Sequence, residues 1–336
     1  MKKVGIWMYE NDGGINIKKK LVSSLKKKGY EVYADFDMRE CYLKDGKVYA
    51  KDGYCLSDVD IFYHMNADEQ NQYQNDILRL LELSGVHVFN NYQAFIYCKD
   101  KVIANLLLRK NGINVPPSML INNKLSKEEL KHIIDEWKSV VVKPRTNHGG
   151  KGIIKFDDYE QFSDYYESSK HYVDNYYLEK YIPFDKHDYR VEIFNGEVVG
   201  TYCRGKCGSY KTNISSGGSM IDSKVSKEFQ EIALKCAKTL GITTTIVDMI
   251  LSSKDKKIYV LEVNPIMGIF LESAMKSGSK MPVQKDIPDA FKTDAIKLNK
   301  IIEYIDLYFK KVGWFRWEKM ILFSLQVHVQ LNQKIK

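Results

Sequence analysis

Asp248, Glu262 and Asn264 are oxygen-bearing side chains set into two apolar runs, TTTIVDMIL and IYVLEVNP. The spacer SSKDKK reads as a turn, so the two runs pair as a hairpin. Strand side chains alternate between faces, which puts Thr244, Ile246, Asp248 and Ile250 on one face. The same rule puts Ile258, Val260, Glu262 and Asn264 together on the partner strand. Two carboxylates thus interrupt an otherwise apolar hairpin at its centre. A carboxylate removed from water without a partner is costly, so this pair calls for cations. Hard oxygen donors of this kind suit Mg²⁺ shared with the phosphates of a nucleotide. On a one-sided antiparallel sheet the same carboxylates would simply face water.

The stretch VVVKPRTNHGGKGIIKF, residues 140–156, holds a second set of chemically active residues. Glycines let a backbone approach a ligand closely, and a neighbouring lysine points to phosphate. It is not a phosphate loop of the usual kind, because Lys151 is followed by Gly152 and a strand, not by Ser or Thr and a helix. Nor does a helix open after the glycines, as a dinucleotide fingerprint requires. Taken alone, the loop also reads as a hairpin turn with a surface lysine. Its neighbours decide otherwise. Arg190 lies two residues from Asp188 on one strand face, Arg204 ends the paired strand, and SYKTNISSGGS follows with Lys211, Asn213, Gly217 and Gly218. Together these describe a site for a polyphosphate and its metal.

The elements that must position these residues fall into an ordered series. VGIWMYE, YEVYAD, VDIFYHM and VHVFN read as strands. NDGG reads as a turn, residues 16–28 as a helix closed by Gly29, and a second helix carries Ile77, Leu78 and Leu81. That rhythm predicts a parallel sheet with helices on its faces, and substrate loops at 10–14 and 64–68, beyond the strands' carboxyl ends. Residues 92–111 read as one helix, and S-K-E-E at Ser126 to Glu129 as a capping box. Hairpins dominate from 139 onward; DYRVEIF and EVVGTYCR meet at Asn195-Gly196, a two-residue turn signal. A helix carrying Phe229, Ala233, Cys236 and Leu240 follows, and a last one runs from about 289 to 311.

Composition narrows the classes. A chain of 336 residues with 44% apolar and 12% aromatic content has material for more than one domain and a large core. Six scattered cysteines without zinc-ligand spacing read as reduced thiols. There is no signal-peptide pattern, and MILFSLQVHVQL is too short to span a bilayer, so a cytoplasmic location is expected. The net charge of +8 raises nucleic acid as a partner. However, the lysines at 18–20 and 26–28 flank the stripe Ile17, Leu21 and Leu25, which places them on a solvated face. No recognition helix or basic aromatic strand accompanies them, so the charge is read as drawing an anionic substrate.

The ordered series KPRTNHGGKG, LEKYIP, DYR, a later arginine, YKTN with GG, then D and LEVNP resembles the ATP-grasp superfamily, and within it the RimK-like carboxylate–amine ligases. The resemblance is strong over roughly residues 90–278. It implies an α/β (α+β) fold, with an N-terminal parallel β-α-β domain over 1–90 and two ATP-grasp subdomains over 91–183 and 184–311. ATP would lie between the β-rich subdomains, and the tail at 312–336 has no counterpart. Residue by residue, Lys101 and Lys143 would meet the phosphates, and Asn147, Gly149, Gly150 and Gly152 would belong to a lid. Glu179, Lys180, Tyr181 and Ile182 would read adenine, and Asp188 would lie by the ribose. Lys211, Thr212 and Asn213 would match a nucleotide-binding segment, and Asp248, Glu262 and Asn264 would hold two Mg²⁺, with Mn²⁺ as a substitute. Arg204, Lys211 and Arg190 would stabilise the moving phosphoryl group. His148 reads as a lid residue outside that set.

The implied reaction activates a carboxylate, of an amino acid such as glutamate or of a peptide, as an acylphosphate for an amine acceptor. A regulatory ATP-binding protein of the same fold and a hydroxyl kinase are the alternatives, and retention of Asp248, Glu262, Asn264, Lys143 and Arg204 favours the ligase over the regulatory protein, because nucleotide binding alone needs fewer metal ligands. Lys211 stands where arginine is commoner, PIMGIFLESA replaces a small-residue Pro-Gly turn, and YHMNADEQ lacks an expected arginine. The end of the tail, VHVQL, reads as an added strand or a homo-oligomer contact.

Overall fold

The computed structural model describes residues 1–8, 10, 14–65, 72–146, 152–205, 219–222, 224–267 and 293–311. The chain opens with β1 (Lys3–Met8), α1 (Gly14–Lys27) and β2 (Glu31–Tyr33). A small hairpin, β3 (Tyr42–Lys44) and β4 (Lys47–Tyr49), precedes β5 (Ile61–Met65), α2 (Gln72–Leu83) and β6 (His87–Phe89). Strands β2, β1, β5 and β6 form an all-parallel sheet in that order, as the alternation of strand and helix predicts. One face packs on Ile17, Leu21 and Leu25 of α1, the other on Ile77, Leu78 and Leu81 of α2. Lys18 departs from the expected solvated face. It is only 8% exposed, and its ammonium reaches Glu10 and, at 3.2 Å, Asp35. Its place beside Ile17 and Leu21 lets the aliphatic stem cover the stripe while the charge reaches the acids.

Next come α3 (Tyr92–Lys99) and α4 (Lys101–Lys110), two helices where periodicity predicts one. The same apolar spacing runs through both, and only the backbone of Asp100, which is extended, separates them. β7 (Ser118–Asn122), α5 (Lys127–Trp137), β8 (Val140–Lys143), β9 (Ile154–Phe156), α6 (Tyr159–Ser169) and β10 (Asn175–Lys180) build an antiparallel sheet ordered β7-β10-β8-β9. Ser126 and Glu129 form the expected capping box at the start of α5.

The last sheet is antiparallel too. β11 (His187–Phe194) and β12 (Glu197–Gly205) turn at Asn195 and Gly196, both at positive φ, as the Asn-Gly pair predicts. β13 (Ser219–Asp222), α7 (Lys227–Leu240), β14 (Thr244–Leu251) and β15 (Ile258–Asn264) complete an order of β13-β12-β11-β14-β15. Its inner face, with Val191, Ile193, Val247 and Met249, is covered by Ala94 and Cys98 of α3, Leu108 of α4, and Phe229 and Ala233 of α7. A final helix, α8, is described over 293–311 and locks the pieces together. Lys297 buries its ammonium 2.7 Å from Glu192 of β11, while Asp306 receives Lys28 and Tyr30 beside the parallel sheet. Among the described residues no helix is long and apolar enough to cross a membrane, and five cysteines are free thiols. Cys207, the tail at 312–336, and most of the expected substrate loops at 10–14 and 64–68 lie outside the described residues.

His64 at the end of β5 supplies a test of this packing. Its Nε2 donates to the Asn90 carbonyl at 2.8 Å, and burial pushes its pKa from 6.5 down to about 4. Below pH 6.5 the unfolded chain takes up a proton that the folded chain refuses, so stability falls as pH drops toward 4. With a limiting slope of about 1.36 kcal/mol per pH unit, this one group removes roughly 1.5 kcal/mol between pH 6.5 and 5. Denaturant titrations at the two pH values should show that loss in the wild type and much less of it in His64→Phe.

Candidate functional site

The break at Asp100 is what aims Lys101. One Asp100 oxygen accepts from the Val102 and Ile103 amides, capping α4. The other holds the Arg145 fork, with Nε at 2.9 Å and Nη2 at 2.6 Å. The Lys101 amide donates to the Arg145 carbonyl at 3.1 Å, so the start of α4 is pinned to the exit of β8. Lys101 and Lys143 consequently line one cleft. Gly152 closes the loop that follows β8. It sits at φ +74°, and a Cβ there would lie 2.7 Å from Pro144 Cγ, so a side chain would meet the loop's own entry.

Asp248 and Glu262 are direct cross-strand partners, as the two runs predict. The predicted face of Ile258 and Val260 is wrong, however. A β-bulge lies between the pairs Asp248–Glu262 and Met249–Val260, and Leu261 is the extra residue. The insertion reverses the alternation: Ile258 and Val260 turn into the core, whereas Leu261 and Glu262 both line the cleft. On the neighbouring strand Arg190 pairs with Asp248 in register, with Nη2 at 2.5 Å from its carboxylate and Nη1 at 2.9 Å from the Tyr202 hydroxyl. Arg204 grips Asp188 with Nε at 2.8 Å and with Nη2, and it reaches Asp248 at 3.5 Å.

The charges of this pocket are matched internally. Glu262 takes Lys101 at 2.9 Å, and Glu179 takes Lys143 together with the Tyr177 hydroxyl at 2.8 Å. Burial drives the Asp248 carboxyl above the ordinary aspartate value, against Arg190 and Arg204 and with the Asp188 charge adding to the rise. Burial also opposes ionisation of Glu262, but Lys101, with Lys143 and Arg190 behind it, outweighs it and holds that carboxyl below its usual value. Arg190 is raised well above its ordinary value, since Asp248 overcomes the effect of burial. A polyphosphate entering here would meet cations already in place, and a metal ion would meet carboxylates already aligned.

Residues 98–286 match the family model of the RimK-like ATP-grasp domain. The chain belongs to the RimK-like ATP-grasp family. Among its relatives, the alpha-aminoadipate–LysW ligase LysX of Saccharolobus solfataricus is 26% identical over 253 residues, covering 74% of this chain and 88% of the relative. A Legionella pneumophila protein named "Probable alpha-L-glutamate ligase" is 26% identical over 301 residues, covering 88% and 93%. The fold is shared with the ATP-grasp ligase PsnB complexed with precursor peptide PsnA2 and AMPPNP (TM-score 0.59, 18% identity, 90% of this chain and 97% of that one). It is shared as well with D-alanine–D-alanine ligase from Bacillus anthracis complexed with ATP (TM-score 0.60, 20% identity, 93% and 100%). The chain is therefore an ATP-dependent ligase that forms amide bonds.

The ligase's cleft encloses about 810 Å³, its mouth included. Lys101, Lys143, Glu179, Lys180, Tyr181, Ile182, Asp188, Arg204, Asp248 and Glu262, all singled out in the sequence, line it. Arg190 and Asn264 stand behind Asp248 and touch it instead, Asn264 through Nδ2 at 3.4 Å. Asn147, Gly149, Gly150, Lys211, Thr212, Asn213 and His148 lie outside the described residues. Sequence reasoning missed the apolar walls: Pro116, Val141, Ile153, Phe184, Ile250 and Leu261. Strand alternation marks two of them, since Val141 shares a face with Lys143 and Ile250 with Asp248. Leu261 carries no such signal, because only the bulge turns it inward.

Glu262→Gln keeps the shape of the side chain while removing the charge that Lys101 faces. Loss of a metal ligand or phosphate-facing carboxylate at this position would make turnover fall by about 100-fold or more. The melting temperature should fall as well, since the buried Lys101 ammonium loses the carboxylate that neutralises it, so turnover is compared at a temperature where both proteins are folded. Turnover within a few-fold of wild type would remove Glu262 from the site.

Proposed function

We propose that the chain activates the carboxylate of an amino acid or peptide with ATP and delivers the acyl group to an amine. The observation that carries this reading is the in-register pair Asp248–Glu262, flanked by Lys101, Arg190 and Arg204, at one end of an apolar cleft. In this reading the Ile182, Ile250, Leu261 and Val141 walls sandwich adenine, and the Glu179 to Ile182 backbone reads its edge. Asp188 lies by the ribose. Lys143 leaves Glu179, and Lys101 leaves Glu262, to take phosphate oxygens. The glycine loop that ends at Gly152 covers them.

The donor set fits a hard divalent cation: two ionisable carboxylates in register and an amide beside them. Asp248, Glu262 and Asn264 would hold Mg²⁺, or Mn²⁺ in its place, and the metal would supply Lewis-acid charge at the phosphoryl oxygens. Among the described residues no group of three or more His, Cys, Asp and Glu is placed to hold a metal ion. The substrate carboxylate oxygen attacks the γ-phosphorus, the bond to ADP breaks, and an acylphosphate forms. The amine nitrogen then attacks the acyl carbon, phosphate departs, and the amine gives up a proton. Arg204 and Arg190, with Lys211, balance the charge that develops on the phosphoryl and acyl oxygens. Asp188 and Asp248 hold the two guanidinium groups in place for this, so no reorganisation is needed at the moment of transfer.

The names of the relatives support an acidic amino acid such as glutamate as one partner and a peptide, protein or small amine as the other. A cytoplasmic location and division near residues 90 and 183 belong to the same reading.

Release of ADP should require a divalent metal, a carboxylate and an amine together, and a screen of amino acids and peptides will identify the pair. With hydroxylamine in place of the acceptor, a hydroxamate should accumulate, since acylphosphates react with it. A phosphate ester that hydroxylamine leaves intact would instead identify a kinase. Mg-ATP binding without any product would identify a regulatory protein.

A further inference from the structure

Asn90 leaves β6 and is 1% exposed. Its side chain touches neither the cleft nor any solvent, yet every hydrogen-bonding position on it is used. Oδ1 accepts from the amides of Thr243 at 2.9 Å and Thr244 at 2.7 Å. Nδ2 donates to the carbonyls of Thr244 and Pro265, each at 2.7 Å, with the Thr244 hydroxyl at 3.0 Å sharing a hydrogen. Two donors and two lone pairs are the full capacity of a carboxamide. By bonding both the N–H and the C=O of Thr244, the amide acts as a backbone unit of a neighbouring strand would.

The position of those bonds matters. The turn of the β14–β15 hairpin lies at 252–257, so Thr244 and Pro265 are at its open end, where nothing covalent holds the strands together. Asn264 is the last residue of β15, immediately before Pro265. From inside the hairpin the Thr245 hydroxyl donates to the Asn264 carbonyl at 2.5 Å, and Asn264 Nδ2 donates to the Ile246 carbonyl at 3.0 Å. The open end is therefore stapled by three side chains: Thr245 and Asn264 within the hairpin, and Asn90 from the parallel domain.

We propose that Asn90 is a positioning residue for the metal ligands: it fixes the open end of β14–β15 and thereby the spacing of Asp248, Glu262 and Asn264. The proposal rests on the metal role assigned above to those three residues. Through this one side chain the N-terminal domain takes part in the chemistry of a site to which it contributes no ligand. Alanine at position 90 takes these partners from two amides and two carbonyls, those of Thr244 in the buried interior, and the strands separate at the end that carries Asn264.

The test uses the full chain and two readouts that need no turnover. These are amide hydrogen exchange of the metal-free protein and Mn²⁺ affinity by electron paramagnetic resonance in the presence of AMPPNP. Asn90→Ala should speed exchange of the Thr243 and Thr244 amides and of the end of β15 by about tenfold or more. Mn²⁺ affinity should fall by about tenfold, since a supporting bond behind a metal ligand typically counts for 10- to 100-fold. Thr245→Val should shift both in the same direction by a smaller factor. Asp306→Asn, which weakens the tie of α8 to the parallel sheet without touching β14 or β15, should leave both unchanged. Mn²⁺ affinity within twofold of wild type in Asn90→Ala, or an equal loss in Asp306→Asn, overturns the proposal. If Asn90→Ala does not fold, Thr245→Val decides: no change in either readout overturns it. A chain without ligase activity on any substrate pair, but with these shifts, would refute the reaction and leave the clamp standing.

Discussion

Asp248 and Glu262 face each other across two strands whose opposite face is packed beneath α3, α4 and α7. Carboxylates so placed tolerate burial only with counter-charge at hydrogen-bond distance. Three basic side chains answer that demand, each from a different element: Lys101 from α4, Arg190 from β11 and Arg204 from β12, while Lys143 of β8 takes Glu179 beside them. Because the cations come from separate elements, their convergence constrains how the two antiparallel sheets and the first turn of α4 sit. The neutralised pocket is thus an electrostatic necessity of the fold.

The supporting structure reads as a set of devices that hold those partners still. Asp100 caps α4 and clasps Arg145, which brings the two lysines to one cleft. Asp188 orients the Arg204 guanidinium, and Tyr202 assists that of Arg190. Lys297 occupies Glu192, the next carboxylate on the same strand face as Arg190, at 2.7 Å, so Glu192 has its own cation and Arg190 is left to Asp248. The parallel sheet takes part only indirectly, through Asn90 and α8, but these contacts reach the strands that bear the carboxylates.

Periodicity and residue type were enough for much of this. The β-α-β rhythm specified the parallel sheet, and the Asn195-Gly196 turn and the capping box at Ser126 appeared where local chemistry demanded them. Such features depend on neighbours in sequence, so a linear reading captures them. Asp248, Glu262, Arg190 and Arg204 were legible because charged residues in apolar strands have few stable environments and must find one another, whereas Lys101, Lys143 and Glu179 to Ile182 came only with the resemblance to the ATP-grasp series. Val141 and Ile250 could have been added on alternation alone.

Other decisions were made only in three dimensions. Leu261 and the faces of Ile258 and Val260 were settled by a bulge, which inserts one residue and inverts a period of two without any mark in composition. The split of one helical pattern at Asp100 followed from a partner, Arg145, 45 residues away. Lys18 was drawn inward by Glu10 and Asp35, acids that lie outside its helix. Asn90 reads in the sequence as the polar end of a strand, and its five side-chain bonds to Thr243, Thr244 and Pro265 exist only once distant strands are brought together. Sequence by itself determined which elements form and which charges must meet, because both follow from local propensity and the cost of burying charge. Tertiary structure decided which partner each charge takes and which way each side chain of β15 faces, because register and long-range hydrogen bonds are properties of the assembled strands.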